Sequence, residues 1–191
     1  MNWETYIALG DSITIGARTY LGYPEFTGTI LEGRLSKEWN VVNCAESGFT
    51  AIELARYIDN NYSSLTKHRS SITTILIGTN DLKSGTSQQN FEIALTQIII
   101  KSKILTQNSN VVLLMIPELQ EGIMYPYNIE MNSKVAELNQ SIEKLAKKHN
   151  VKTLSLKVEK EDFFDGVHLS DTGVENIGRQ VSNYILSERG I

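Results

Sequence analysis

The chain has 191 residues, 41% of them hydrophobic, and its 22 acidic side chains outnumber its 18 basic ones, for a net charge of −4. An acidic chain without a clustered basic face argues against nucleic-acid binding, and no apolar run approaches the roughly 20 residues of a membrane span. The single cysteine, Cys44, excludes an intrachain disulfide and a zinc site built on cysteines.

The length and the even composition predict one domain covering residues 1–191. The first residues lack the basic and apolar regions of a signal peptide, so we expect a cytoplasmic protein. A secreted protein from which the leader had been removed would have the same sequence. Nothing in the chain predicts an oligomeric state.

In chain order, short apolar runs alternate with longer stretches of helical periodicity. The predicted strands are Tyr6–Leu9, Val41–Asn43, Thr73–Ile77, Val111–Ile116 and Thr153–Leu156. The predicted helices are Glu25–Lys37, Thr50–Asn60, Gln88–Gln107, Met131–His149 and Thr172–Ser187. This alternation predicts an α/β protein with a flavodoxin-like parallel sheet between two helical layers, in the common strand order 2-1-3-4-5.

The start of the last helix has two candidate caps. Thr172 and Glu175 fit a capping box, and Ser170 is the alternative cap.

Ser12 follows the first predicted strand, where a tight turn would expose its hydroxyl at the carboxyl edge of the sheet. Asp11 and Ser12 could equally be ordinary turn residues. The surrounding run, Gly10–Thr14, is not the G-x-S-x-G elbow of α/β-hydrolases, because Thr14 occupies the place of the second glycine. Ser12 is therefore a candidate nucleophile that needs a different architecture.

Asp165 and His168 follow the last predicted strand. Two intervening residues on a turn, one of them Gly166, let the carboxylate reach Nδ1 of the imidazole while Nε2 points outward. A nucleophilic serine requires such a base and orienting acid, although an Asp-x-x-His spacing also arises by chance.

Asn80 and Gly48 follow the third and second predicted strands and could supply an amide N–H and a backbone N–H to an oxyanion. Each could also be a turn or capping residue. In strand order 2-1-3-4-5, strand 1 lies between strands 2 and 3, so Ser12, Gly48 and Asn80 would meet at adjacent strand ends. Asp81, beside Asn80, is expected to have a structural hydrogen-bonding role.

Two loops rich in aromatic residues follow predicted strands and could line a substrate pocket, or simply cover the edge of the core. The candidates are Tyr20, Tyr23 and Phe26 after Ser12, and Met124, Tyr125 and Tyr127 in the later loop. Two S-x-x-K patterns, at Ser64 and Ser141, are discounted because a pattern that occurs twice in a polar chain carries little information.

Taken together, these segments resemble the GDSL-type esterases of the SGNH hydrolase superfamily. The run Gly10–Thr14 is similar to the first conserved block, with Ile13 in place of leucine. Gly48 resembles the second block, Gly78–Asp81 the third and Asp165–Ser170 the last, in the family's order.

The resemblance implies hydrolysis of esters or thioesters through an acyl-enzyme, without a metal or organic cofactor. It assigns Ser12 as nucleophile, His168 as base and acid, and Asp165 as its orienting partner. The Ser12 and Gly48 backbone N–H groups and the Asn80 side chain would form the oxyanion hole.

The expected substrate is a small-molecule ester with a short acyl group, such as an acetylated carbohydrate. An acyl-CoA thioesterase or lysophospholipase is the alternative within the family. A non-catalytic, flavodoxin-like binding module is the alternative outside it, although the usual phosphate-binding glycine motifs are missing.

Overall fold

The computed structural model describes residues 3–107, 110–123 and 125–191. Its sheet has five parallel strands: β1 (Trp3–Gly10), β2 (Glu38–Ala45), β3 (Ile72–Leu76), β4 (Val111–Leu114) and β5 (Lys152–Leu154). Their order in the sheet is β2-β1-β3-β4-β5. The predicted α/β class and strand order are confirmed.

The α-helices of the described ranges are α1 (Ser12–Ile15), α2 (Tyr23–Leu35), α3 (Ala51–Leu65), α4 (Thr79–Ser84), α5 (Gln88–Leu105), α6 (Asn132–His149) and α7 (Asp171–Glu188). The short helices α1 and α4 lie in segments that were expected to be turns. Ser170 is the cap of α7, because its hydroxyl accepts the Gly173 N–H at 3.2 Å. The capping box expected at Thr172 and Glu175 is therefore wrong, and the alternative cap is confirmed.

Alternating side chains of the strands supply two hydrophobic clusters, one on each face of the sheet. In β1, Ile7 and Leu9 pack into the cluster that includes residues of α3, α5 and α6. Tyr6 and Ala8 pack into the cluster that includes residues of α2 and α7. Strands buried on both faces are typical of parallel sheets covered by helices, and burial of this apolar surface is the main stabilising contribution to the fold.

The connections at the carboxyl ends of the strands contain the predicted site residues. Gly10, near the end of β1, pairs with Ala45 of β2 and with Leu76 of β3. The chain therefore leaves these three adjacent strands at one level of the sheet. No helix in the described part of the chain has the length and apolar character needed to cross a membrane.

Candidate active site

A cavity of about 410 Å³ opens at the carboxyl edge of β1, β2 and β3. Its lining includes Ser12, Gly48, Asn80 and His168. The register explains this convergence, because the first three residues follow closely on the paired ends of their strands. The structure thus brings the predicted nucleophile, the predicted base and the predicted oxyanion donors, four residues in all, to one cavity.

Ser12 is the first residue of α1. The carboxylate of Asp11 caps this single turn by accepting the Ile13 N–H at 3.0 Å, which satisfies one of the free donors at a helix start. The cap fixes the start of the helix, where the side chain of Ser12 contacts His168. The distance between Ser12 Oγ and His168 Nε2 is 3.1 Å.

The loop after β5 holds Asp165 against His168. Asp165 Oδ2 is 2.8 Å from His168 Nδ1, and Oδ1 accepts the backbone N–H groups of Val167 at 3.1 Å and His168 at 2.8 Å. Gly166 has a φ of 79°, and a Cβ there would lie 2.8 Å from the Gln120 carbonyl oxygen. A glycine is therefore required for this turn.

Burial of Asp165 opposes its ionisation, but hydrogen bonds from the backbone and ring of His168 and from the Val167 N–H outweigh that cost. The pKa of the Asp165 carboxyl is lowered as a result. An ionised carboxylate can only accept a hydrogen bond, so Nδ1 of the neutral imidazole donates to Asp165. The lone pair of Nε2 then faces the Ser12 hydroxyl. Such an arrangement can accept a proton from a serine that attacks a carbonyl carbon.

Two hydrogen bonds fix the orientation of the Asn80 amide, which is only 2% exposed. Asn80 Nδ2 donates to the Phe49 carbonyl oxygen at 3.0 Å, and the Tyr127 hydroxyl donates to Asn80 Oδ1 at 3.0 Å. One N–H of the amide is left for an oxygen in the cavity. The Ser12 and Gly48 N–H groups also have no acceptor within the described ranges, so three residues of the lining each have an N–H without a partner there.

Two buried carboxyl groups support the elements around these donors. Asp81 Oδ2 accepts the Ala51 N–H at 2.9 Å and so ties the start of α3 to α4, which agrees with the structural role expected for Asp81. Asp11 is fully buried, and burial raises its pKa to about 7. Desolvation is the main cause, and the negative charge of Asp81 adds to it.

The tyrosines predicted to line the pocket have different positions. Tyr127 lines the cavity, whereas Tyr20 and Tyr125 are each 96% exposed and lie outside its lining. Tyr23 is fully buried in the cluster beneath α2, so the prediction that it lines the cavity is wrong. Its ring packs in the core because the start of α2 lies directly on the sheet.

Phe26 packs against that same cluster. Met124, the remaining candidate, lies outside the described residues.

Sequence reasoning missed two cations of the cavity, Arg18 and Lys83. Both are exposed residues without a periodic or motif signal, one in the loop after α1 and the other near the end of α4. Only the fold shows that their side chains share a cavity with Ser12. Ala17 and Ser47 complete the lining.

A larger depression, of about 1010 Å³, lies at the opposite edge of the sheet, among the first residues of β1, β4 and β5. None of the predicted nucleophile, base, acid or oxyanion residues lines it. We therefore take the smaller cavity, which contains the reactive groups, as the candidate active site.

A parallel α/β/α fold with a serine, a histidine and an oriented carboxylate at its carboxyl edge is typical of a broad class of enzymes, the hydrolases. The sequence model of the GDSL-like lipase/acylhydrolase family matches residues 8–175. The chain therefore belongs to this family. A search of curated proteins found no significant match.

Solved structures of similar fold cover nearly the whole chain. They include Axe2, an acetylxylan esterase from Geobacillus stearothermophilus, at 19% identity and a TM-score of 0.72, with 95% of this chain and 94% of that chain covered. A lipase/acylhydrolase from Enterococcus faecalis has 20% identity and a TM-score of 0.78, with coverage of 97% and 96%. The acetyl xylan esterase AlAXEase has 20% identity and a TM-score of 0.78, with coverage of 95% and 99%. At these identities the likeness establishes the shared fold.

Proposed function

We propose that the protein hydrolyses short-chain carboxylic esters through an acyl-enzyme formed on Ser12. The observation that supports this most directly is the continuous contact from Ser12 Oγ to His168 Nε2 and from His168 Nδ1 to Asp165 Oδ2, at 3.1 and 2.8 Å. It lies in a cavity that also contains the Gly48 backbone and the Asn80 amide.

In the first half of the reaction, Ser12 Oγ attacks the acyl carbon and its proton passes to His168 Nε2. The carbonyl oxygen becomes an oxyanion, which accepts hydrogen bonds from the Ser12 and Gly48 N–H groups and from Asn80 Nδ2. The bond from the acyl carbon to the alcohol oxygen then breaks, and His168 Nε2 returns the proton to the departing alcohol. Asp165 remains ionised and stabilises the imidazolium.

In the second half, a water molecule attacks the acyl carbon of the ester on Ser12 and gives its proton to His168 Nε2. A second tetrahedral oxyanion forms on the same donors. Its collapse breaks the bond to Ser12 Oγ, which takes back the proton from His168. The products are a carboxylic acid and the free enzyme.

The lining of the cavity favours a short acyl group, such as acetyl. Within the described ranges, Ala17 and the ring of Tyr127 supply its main apolar surface, and no leucine, isoleucine, valine or phenylalanine lines it. A long acyl chain needs an apolar groove, because each buried methylene contributes about 0.8 kcal/mol. The same feature disfavours a lysophospholipase or long-chain thioesterase. Two of the structural neighbours are acetyl xylan esterases, which supports acetylated carbohydrates as a substrate class.

The experiment is hydrolysis of 4-nitrophenyl esters from acetyl to octanoyl by the wild type and by Ser12→Ala. We expect kcat/KM to be highest for acetyl, and we expect kcat of Ser12→Ala to fall by roughly 10⁴-fold or more, because the nucleophile is lost. Mass spectrometry of the wild type after rapid acid quench should detect an acetyl group on the peptide that contains Ser12.

Ser64→Ala is the matched control, because Ser64 is an exposed serine at the start of a discounted S-x-x-K pattern. It should retain the wild-type rate. Equal rates for the wild type and Ser12→Ala would contradict the proposal and favour the binding module. A maximum at octanoyl would contradict the short-chain assignment.

A further inference from the structure

Among the described residues, two cations and no acidic side chain line the candidate active site. Arg18 and Lys83 belong to the lining, and its other members in the described ranges are uncharged or, in the case of His168, basic. The chain as a whole has the opposite balance, with 22 acidic and 18 basic side chains. The lining of the cavity therefore has a more positive charge balance than the chain as a whole.

Within the described residues, Lys83 has no carboxylate partner and Arg18 has only one long ion pair, with Asp165. Lys83 forms no ion pair with the part of the chain that the structure describes, and its ammonium group lies 5.2 Å from the centroid of the Tyr127 ring. Arg18 approaches Asp165 only through Nε, at 3.8 Å, which is beyond hydrogen-bond distance. Its guanidinium carbon lies 5.9 Å from the centroid of the Phe164 ring.

The two aromatic rings hold the cations near the cavity without cancelling their charge. A cation above a ring face is attracted by the ring quadrupole, but the ring supplies no anion. The terminal N–H groups of the Arg18 guanidinium and the Lys83 ammonium thus stay available. A guanidinium and an ammonium are the groups that proteins use to bind carboxylates and phosphates.

The position of Arg18 relates this charge to one part of the substrate. Arg18 lies beside the carboxylate that orients His168. In the proposed mechanism, His168 Nε2 delivers its proton to the departing alcohol, so the alcohol part of the ester lies on the side of His168. A negative group on the alcohol is thereby brought near Arg18.

We propose that the natural substrate is an ester whose alcohol part carries a carboxylate or a phosphate, and that Arg18 and Lys83 bind this oxyanion. The inference rests on the proposed ester hydrolysis. It assigns Arg18 and Lys83 as specificity-determining residues of the same cavity. An acetylated acidic sugar would have the required chemistry, with the acetyl group at Ser12 and the negative group at the two cations.

A matched pair of substrates tests the proposal: 3-acetoxybenzoate and its methyl ester, which differ by one negative charge on the alcohol part. We expect kcat/KM of the wild type to be about tenfold higher for the anionic ester at low ionic strength. This preference should shrink as sodium chloride is raised from about 20 mM to about 500 mM, since salt screens exposed charges.

Lys83→Gln is the decisive variant, because Lys83 forms no hydrogen bond or ion pair with Ser12, His168 or Asp165. It should lower the ratio of the two kcat/KM values by roughly three- to tenfold, and Lys83→Arg should retain the ratio. Lys147→Gln removes the same unit of charge from an exposed position of α6 outside the cavity and should leave the ratio at its wild-type value. Arg18→Gln should also lower the ratio.

Two further esters test whether the anion is a phosphate or a carboxylate, and whether it belongs to the alcohol part or the acyl part of the substrate. Faster hydrolysis of 3-acetoxyphenyl phosphate than of 3-acetoxybenzoate would support a phosphate, and the reverse order would support a carboxylate. A preference confined to an ester with its carboxylate on the acyl part, such as 4-nitrophenyl hydrogen adipate over its methyl ester, would overturn the assignment to the alcohol.

The proposal and the underlying function fail in different ways. Hydrolysis of the neutral ester that depends on Ser12, together with a ratio at or below one that Lys83→Gln does not change, would overturn the anion site and leave ester hydrolysis intact. Hydrolysis of both esters at equal rates by the wild type and Ser12→Ala would overturn ester hydrolysis itself, and the anion site with it.

Discussion

Asn80 is the residue whose chemistry can be isolated most cleanly. Its amide is buried and oriented by Phe49 and Tyr127, and Asn80 lines the cavity with one N–H unpaired in the described residues. We expect Asn80→Ala to lower kcat by roughly 10²- to 10³-fold, the usual effect of removing one oxyanion donor. KM should change little, because the donor acts mainly on the transition state. A loss in kcat of less than threefold in steady-state kinetics would remove Asn80 from the oxyanion hole.

We propose that Tyr127 acts on the oxyanion through Asn80, as a positioning residue. Its hydroxyl is the only group in the described ranges that donates to Asn80 Oδ1, and together with the Phe49 carbonyl oxygen it fixes the orientation of the amide. Tyr127→Phe removes this donor and keeps the ring. We expect kcat to fall by roughly tenfold with little change in KM, because a loosened amide is misoriented part of the time.

The double variant Asn80→Ala/Tyr127→Phe distinguishes this role from a general structural one. If Tyr127 acts through Asn80, Tyr127→Phe should cause no further loss of kcat in the Asn80→Ala background. Tyr125→Phe is the matched control, because Tyr125 belongs to the same loop but is 96% exposed. A fully additive loss in the double variant would refute the positioning role.

Among the structural elements, the single-turn helix α1 depends on a buried acid. Asp11 Oδ1 caps the turn, while Oδ2 is buried without a hydrogen-bond partner in the described part of the chain. Burial raises the pKa of this carboxyl from 3.8 to about 7, so the folded protein binds a proton that the unfolded chain has already released above about pH 4. Stability from this group is greatest at low pH and declines as the pH rises through 7.

Asp11→Asn tests this pH dependence of stability, since asparagine is also a good cap and carries no charge. The free energy of unfolding of the wild type should fall, relative to that of the variant, by up to roughly 1.4 kcal/mol per pH unit between about pH 5 and pH 7. Urea titrations followed by circular dichroism at several pH values measure this difference. Parallel pH profiles for the two proteins would show that Asp11 does not titrate in this range.

The longer elements were predictable from local pattern, and the short ones were not. The apolar positions of α6 recur at intervals of three or four, which predicted Met131–His149 for a helix that spans Asn132–His149. Helices α1 and α4 have one or two turns, too few for a period to emerge. Their residues read as turn residues because Asp11 and Gly78 also favour turns.

For the whole molecule, the alternation of strands and helices predicted the strand order, and with it the convergence of Ser12, Gly48 and Asn80. The loops were less predictable, because a tyrosine can face either the core or a cavity. Tyr23 faces the core and Tyr127 the cavity. Tertiary packing determines which way each tyrosine faces, and the sequence pattern does not show it. Tertiary packing likewise determines that Arg18 and Lys83 line the same cavity.

An ion-pair network joins the two ends of the described chain at the edge of the sheet opposite the candidate site. Glu4 of β1 accepts hydrogen bonds from Arg189 Nη1 at 2.9 Å, from Arg189 Nη2 at 2.5 Å and from Lys37 Nζ at 3.1 Å. The Arg189 guanidinium carbon also lies 5.0 Å from the centroid of the Trp39 ring. The hydrogen bond from Arg189 is the main cause that lowers the pKa of Glu4 from 4.5 to about 2.

Because the folded pKa of Glu4 lies below the unfolded one, the carboxylate stabilises the fold above about pH 4.5, and this stability is lost as the pH falls toward 2. Glu4→Gln should therefore lower the free energy of unfolding at neutral pH by about 1–3 kcal/mol, as expected for a partly buried, bidentate pair. Urea titrations at pH 7, 4 and 3 should show the difference from wild type shrinking with acid. Glu175→Gln, which breaks the exposed pair with Arg179 on α7, should cost less than about 0.5 kcal/mol. Equal decreases in the free energy of unfolding for the two variants would mean that the pair between Glu4 and Arg189 is no stronger than a surface ion pair.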